Sequence, residues 1–474
     1  MKELIIAFFL LSSLWCSAQE KISSTALQSD AKLMWQTLNE LHPGMYRHAD
    51  TTELAKAFDQ LLEEFSIERS QNEAFKYFSE FVVKIKCGHT YLNPLNQSPQ
   101  IIDSLLDDAV LLPFSFSLID YTMIVDSSLT EKIRHNDIIK CINDIPVSKI
   151  IDSLSHYIKA DGNRKSKKIK DLQVLFEARY NYFDYYFPLI YGFKDSVSIE
   201  LIGGEIHRIP LITKQDRNAR ISQNTSYDDM WSYSFYEHYA YLKLGTFVTW
   251  KMSLDWEAYL DEFFEQLTKK RIQNLIIDIR DNEGGMTEVT DYLTNRLANK
   301  SGILIPRRKH LVYKKVSKNL KPHLSTWSKW FYNVSWWTKK LDNRYRTPRF
   351  SRIKKKIKRN TKGFQGQTFV LVNEANSSAT FILAENLKIN KYATLVGTET
   401  GGTKKGINGG QIFFLKLPNS NIEIDIPLIG YYPIKDLEDQ GIIPDIHIPM
   451  TIEDHINRYD RQLNYITGML IKNN

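Results

Sequence analysis

The chain has 474 residues, is 43% hydrophobic and 25% charged, and carries a formal net charge of +7. These are ordinary globular values, enough chain for two to four domains. Its three cysteines, Cys16, Cys87 and Cys141, exclude a disulfide framework and a zinc-ligand spacing, so Cys87 and Cys141 are expected as two buried thiols.

In chain order, residues 1–18, "MKELIIAFFLLSSLWCSA", read as a signal peptide. Lys2 supplies the positive start, Leu4 to Leu14 a short apolar run, and Cys16-Ser17-Ala18 a small-residue cleavage site before Gln19. The run is too short to span a membrane comfortably, and the bulky Trp15 argues against a lipid on Cys16. The mature protein is therefore expected to be exported, periplasmic or extracellular, and soluble. Residues 25–95 carry apolar residues at helical spacing in "DAKLMWQTLNELHPG" and "TELAKAFDQLLEEF", broken at His42–Gly44. From 100 to 215 the pattern turns to strands, with a tight turn around Asp120 in "PFSFSLIDYTMIVD". From 230 to 450 strands alternate with helices, the pattern of an α/β core with short crossovers. The expected fold class is α/β and multi-domain.

Two stretches of that core carry chemistry. "NEANSSATFILAENLK", Asn373 to Lys388, leads from the strand-like "GQTFVLVNE" into a helical pattern, with Ser377 and Ser378 at the junction. A serine there serves as an ordinary N-cap. It also sits where a helix N-terminus favours an alkoxide or oxyanion. "LIIDIRDNEGG", Leu275 to Gly285, ends in a glycine pair. Such a pair either closes a strand with a turn or aims backbone N–H groups at a ligand.

Segment 306–362 stands apart, with twenty Lys or Arg against one acid, Asp342, and four of the nine tryptophans. In "WSKWFYNVSWWTKKL" aromatics and lysines mix as they do at a membrane interface, and polybasic segments are drawn to anionic surfaces. Three readings stand open: a solvated charged insertion, peripheral contact with an anionic membrane, or a lid docked on the acidic remainder of the chain. Nucleic acid is not expected as a partner of an exported chain.

"LIIDIRDNEGG", "VLVNEANSSATFILAENLK", "ATLVGTETGG" and "EDQGIIPDIHIP" follow the order found in the C-terminal processing (tail-specific) serine peptidases and the related tricorn core. The chain resembles that family over most of residues 25–450, the insertion excepted, and "HNDIIKCINDIPV" resembles the second half of the PDZ domain that the family carries. The resemblance implies an N-terminal helical domain (25–95), a PDZ-like β-rich domain (100–215) and a crotonase/ClpP-like α/β catalytic core (230–450). It implies a serine endopeptidase acting on peptides or unfolded proteins, with no metal or cofactor. The family's nucleophile lies about nineteen residues before the Gly of the "VG" strand end, here Gly397, which selects Ser378 over Ser377. The N–H of Ala379 and that of Gly284 or Gly285 would form the oxyanion hole.

For the base the family divides. His89 in "CGHTYL" matches the "GHT" stretch of the tricorn-like branch. Lys404 and Lys405 in "GGTKKG" are the alternative of the Ser–Lys branch, but that dyad's spacing lands on Thr403. Adjacent lysines in a glycine loop also lack the desolvation a lysine base requires, so His89 is the favoured base. Glu438, three residues before Gly441, is the candidate third member, acting through a hydroxyl such as Thr90. The PDZ-like region implies capture of a peptide as an added strand, with "LLPF", Leu111 to Phe114, as the candidate carboxylate loop. The rival readings are a catalytically silent peptide-binding protein of the same fold and a hydrolase of non-peptide esters or amides.

Overall fold

A computed structural model describes residues 21–472 apart from 103–104, 106–109, 179, 193–194, 222–225, 342–343 and 347–355. The signal-peptide reading falls outside the described residues.

Three helices come first: α1 (Ser24–Leu41), α2 (Thr51–Glu64) and α3 (Gln71–Val83). Each begins after a residue whose side chain accepts a first-turn N–H, namely Ser23, Asp50 and Ser70, the last in a reciprocal capping box with Glu73. A sheet follows with neighbouring strands antiparallel: β1 (Phe114–Ile119), β2 (Thr122–Ser128), β3 (Ile138–Ile142), β4 (Ser196–Leu201) and β5 (Ile206–Pro210). Asp120, at φ +53°, makes the expected turn between β1 and β2. Between β3 and β4 run α4 (Val147–Ser155), α5 (Lys165–Asp171) and α6 (Tyr182–Tyr191). On the outer edge of β1, Phe116 exchanges two backbone hydrogen bonds with Val174. The chain's own residues thus occupy part of the edge to which a peptide strand would add. Leu111, Leu112 and Phe114 of the candidate carboxylate loop are buried.

The main elements that follow are β6 (Trp231–Phe235), β7 (Ala240–Leu244), α7 (Trp256–Lys269), β8 (Asn274–Asp278), α8 (Thr287–Arg296), β9 (Arg307–Leu311), β10 (Gln367–Val372), α9 (Ser378–Asn390), β11 (Thr394–Gly397), β12 (Ile407–Lys416), β13 (Glu423–Pro433), β14 (Ile446–His447) and α10 (Arg461–Lys472). One sheet has the order β6-β7-β8-β10-β11-β14, parallel except for its first pair. Side chains alternate across a strand, and here both faces are covered. Leu275, Ile277, Val370 and Val372 cluster with Phe263, Leu293 and Leu387 of α7, α8 and α9, while Ile276, Phe369, Leu371 and Val396 cluster with Ile466 and Leu470 of α10. Burial on both sides is why "LIID" and "FVLV" read as unbroken apolar runs.

In the second sheet β13 lies between β12 and β9. Phe413, Leu415, Ile424, Ile426 and Leu428 share one core with Leu27, Met34, Leu38 and Phe78 of the N-terminal helices. Buried Asp30 locks that junction. Its carboxylate accepts the backbone N–H and Nδ2 of Asn419 and the backbone N–H and Oγ of Ser420.

The basic segment is built into this core rather than appended to it. β9 pairs with β13, and Leu311, Tyr313, Val316, Leu320 and Val334 join the same apolar cluster. Among the described residues its ion pair to the rest of the chain is that of Arg307 with buried Glu385. A lid held on the acidic remainder would need more. Cys87 and Cys141 are separate buried thiols. No helix among the described residues is long and apolar enough to cross a membrane.

Asp30→Ala removes a carboxylate that accepts four hydrogen bonds and leaves buried donors bare. It is expected to lower stability by roughly 3 kcal/mol, read as a fall in the urea midpoint, while Lys32→Ala on the exposed side of α1 leaves the midpoint in place.

Candidate active site

β8 and β10 are adjacent and parallel, so the loops leaving their C-terminal ends, 279–285 and 373–377, meet above the sheet edge where α/β folds place ligands. Side chains stitch the two loops together. Asn373 accepts the Asp281 N–H at 3.1 Å and donates to the Asp281 carboxylate at 2.9 Å. Asn376 Nδ2 donates to the carbonyls of Ile279 and Asn282. Ser377 Oγ donates to the Glu283 carbonyl at 3.1 Å, and Thr380 Oγ1 to that of Asn282 at 2.9 Å.

The two serines at the head of α9 are set apart by this stitching. Ser377 is the N-cap residue by backbone, yet its hydroxyl makes no capping bond and instead ties down residue 283. Ser378, half-buried, sits at φ +51°, in the left-handed region that costs a non-glycine residue energy. Its hydroxyl makes no hydrogen bond among the described residues. Gly284 abuts it: a Cβ there would lie 2.9 Å from Ser378 Cβ, the Ala379 nitrogen and the Ser377 carbonyl oxygen. A Cβ on Gly285 would lie 2.2 Å from the Phe247 oxygen. At φ +107° and +140°, neither position admits a side chain. The Gly284 N–H is already committed to Asn282 Oδ1 at 2.8 Å. The N–H groups of Gly285 and Ala379 carry no hydrogen bond among the described residues. Of the expected glycine pair, Gly285 is therefore the one with a donor to offer.

His89 stands on a short loop after α3 that is pinned along its length. The Gly88 N–H donates to Asp161 Oδ1 at 2.8 Å, and Tyr91 accepts the Asp425 N–H. Asn93 and Asn96 hold the Asp425 carboxylate, whose burial pushes its pKa up to about 6. His42 Nε2 meets Thr90 Oγ1 at 2.8 Å, and the Gly44 N–H donates to His42 Nδ1 at 3.2 Å. That pairing makes His42 a neutral imidazole with its proton on Nε2, and Thr90 is thereby committed to His42. The His89 ring lies against the second sheet, where a Cβ on Gly409 would stand 3.8 Å from its Nε2. Its Nδ1 is buried without a partner among the described residues. Burial holds the imidazole below its ordinary pKa, against the opposing pull of the Asp161 carboxylate, so it is neutral at physiological pH.

One segment, 159–171, touches every part of this assembly. Asp161 supports the His89 loop. Lys167, buried on α5, pairs with Asp171 at 3.1 Å and with Glu283 at 3.4 Å, and its stem runs past Gly401. Lys170 pairs with Asp281 at 2.9 Å. Lys159 approaches Glu283 at 3.9 Å and lies over the Tyr91 ring. Partial desolvation disfavours the charge of the half-exposed Glu283, but Lys167 and Lys159 outweigh it and hold the carboxyl at about 2. Asp171 goes the other way, pushed up to about 6 by burial despite Lys167.

The other expected site residues lie elsewhere. Glu438 is exposed and makes no side-chain hydrogen bond or ion pair among the described residues. Its neighbour Asp439 is the one turned inward, towards His48, Asn163 and Arg164. The carboxylates whose charge acts on His89 are Asp161 and Glu283. Lys404 Nζ donates to Gln440 Oε1 at 3.2 Å, and the Lys405 backbone N–H to Thr403 Oγ1. Sequence reasoning missed Lys159, Asp161, Lys167 and Asp171. Their one signal was the polar run "KADGNRKSKKIKD" inside a region read as strands.

The His42 pairing has a pH signature. Burial, with Arg47 nearby, lowers the His42 pKa to about 3 in the folded state, whereas the unfolded chain takes up the proton near 6.5. The unfolded state thus binds more protons between these values, and stability falls as pH drops through that window. Wild type is expected to lose about 1.4 kcal/mol per pH unit from this group between pH 6 and 5. Urea midpoints across that range should lose this slope in His42→Gln.

Residues 238–448 match the model of peptidase family S41. A comparison with curated proteins gave no match. Among solved structures, mature CPAF complexed with lactacystin aligns at a TM-score of 0.62 and 14% identity, over 95% of this chain and 99% of that one. A CPAF mutant and mature CPAF align at TM-scores of 0.63 and 0.61, with 13% and 15% identity. These cover 95% of this chain in both cases and 97% and 98% of theirs. At such identities the likeness is one of fold. Family match and fold agree with the junction built at Ser378: residues 238–448 are a peptidase family S41 domain.

Proposed function

We propose that the protein is an exported serine endopeptidase in which Ser378 attacks the carbonyl carbon of a peptide bond and His89 takes the hydroxyl proton. The observation that carries this reading is the left-handed Ser378, with an unbonded hydroxyl, beside the two uncommitted N–H groups of Gly285 and Ala379. Backbone strain of that kind persists where the surroundings enforce it, and it clusters at functional sites. The tetrahedral oxyanion forms against those two N–H groups at the positive end of α9. His89 then hands its proton to the departing amine, leaving an acyl group on Ser378 Oγ. A water molecule, deprotonated by the same imidazole, hydrolyses the ester and restores the serine.

Asp161 takes the orienting part that sequence spacing gave to Glu438. It is a positioning residue: it fixes the His89 loop through Gly88 and favours the imidazolium formed during attack. Substrates are peptides or unfolded proteins, and lactacystin, with which mature CPAF is complexed, is a candidate inhibitor. The signal-like pattern of residues 1–18 is what supports export. The reading also includes peripheral contact of segment 306–362 with an anionic membrane. The alternatives are weaker. A Ser–Lys dyad would have to draw on Lys404 or Lys405, of which Lys404 has its amine bound to Gln440, and a silent binding protein has no use for a strained serine.

Casein hydrolysis tests the assignment. Ser378→Ala is expected to abolish it, and His89→Ala to lower kcat by about a hundredfold to ten-thousandfold. A double alanine at Lys404 and Lys405 retains activity. Loss in the lysine variant with an active His89→Ala would move the chemistry to the Ser–Lys dyad.

For the positioning role, Asp161→Asn removes the charge that favours protonated His89. The acidic limb of the kcat/KM profile should therefore move to lower pH as kcat falls, with Glu438→Gln unchanged. An Asp161→Asn profile that keeps its acidic limb would remove Asp161 from this role.

A further inference from the structure

Exposed tryptophans are rare on a folded surface, and this chain presents three of them in one ten-residue stretch. Trp327, Trp330 and Trp336 are 63%, 67% and 65% exposed. Trp330 and Trp336 lie 5.7 Å apart by ring centroid, and Trp336 is 6.5 Å from Trp337, which stands edge-on to Phe331. Trp327 leans on Phe414 of the second sheet. The platform beneath them is firm: Leu320, Leu324 and Val334 are buried in the main core, and Tyr332 packs on Phe413. These side chains are held out to solvent by an ordered scaffold. Lys329 lies within this stretch, and Lys314, Lys315, Lys318, Lys321 and Lys340, likewise exposed, flank it in the same basic segment. None of them forms an ion pair among the described residues, and 306–362 holds a single acid. A solvated insertion has no reason to expose indoles, and a lid on the chain's acidic surface would pair its lysines.

Indole rings with unpaired lysines match the headgroup layer of an anionic bilayer, where the ring enters the apolar boundary and the ammonium meets phosphate. We propose that Trp327, Trp330 and Trp336, with the surrounding lysines, form the face that docks on an anionic phospholipid surface. This rests on the proposed membrane contact and is independent of the peptidase chemistry. Deleting 306–362 would remove β9 from its sheet, so point variants are the proper probe.

The experiment is co-sedimentation of the protein with phosphatidylcholine vesicles made with and without phosphatidylglycerol. Wild type is expected to bind the anionic vesicles, and Trp327→Ala/Trp330→Ala/Trp336→Ala to weaken that binding about tenfold or more. Trp250→Ala, at a 64% exposed tryptophan outside the segment, controls for general loss of aromatic surface and should bind as wild type. The triple variant's unchanged urea midpoint verifies its fold. Triple-variant binding equal to wild type overturns this face while leaving membrane contact by 306–362 standing. Wild type that ignores anionic vesicles overturns both. An equal loss in Trp250→Ala also overturns the face.

Discussion

The close approach of Gly284 to the first residue of α9 is the constraint on which the site depends. A Cβ at 284 would collide with the Ala379 nitrogen, the Ser377 carbonyl and Ser378 Cβ together. Only a glycine lets the loop after β8 come this near, and only that nearness brings its backbone alongside the serine. The same approach explains the division of labour between adjacent serines. Ser377 spends its hydroxyl on the neighbouring loop, which leaves Ser378 to carry the left-handed turn, its own hydroxyl unbound among the described residues. Local strain at one residue is held by at least five side-chain hydrogen bonds from Asn373, Asn376, Ser377 and Thr380.

A second layer of order comes from charge. Lys167, Asp171 and Glu283 gather around a segment that is distant in sequence from the loops it contacts. Ionised groups taken from water are costly unless matched, so the buried Lys167 and Asp171 favour the placement of α5 that pairs Lys167 with the 279–285 loop, while Asp161 of the same segment ties the His89 loop. Contacts to the His89 loop and to the loop beside Ser378 thus both come from a part of the chain that carries neither residue. The neutral His42 beneath Thr90 and the Asp425 carboxylate held by Asn93 and Asn96 complete the fixing of the His89 loop from the side of the second sheet.

Much of this was legible before any coordinates, and the failures have physical reasons. Local periodicity marked α1 and α2, and the turn at Asp120 joined β1 to β2 as read. The family resemblance pointed to Ser378 through its distance from Gly397, and the glycine pair read from the sequence lies in the loop that meets that serine. Which neighbouring carboxylate faces inward was not legible, because a one-residue step in a loop turns a side chain from core to solvent. Glu438 is exposed, and Asp439 beside it is not. Burial of Lys167 was equally hidden, since it depends on partners more than a hundred residues away. In the basic segment, net charge obscured the apolar series Leu311, Tyr313, Val316 and Leu320, which makes its first part a piece of the core. Residues past 450 carry α10, without which one face of the parallel sheet would be bare.

The central claim is that one strained serine, and not its neighbour, is the nucleophile. Treating the protein with a fluorophosphonate and mapping the adduct by tandem mass spectrometry tests it most directly. The account predicts a single adduct on Ser378 Oγ. An adduct on Ser377, or on a serine outside the 373–380 junction, would contradict it.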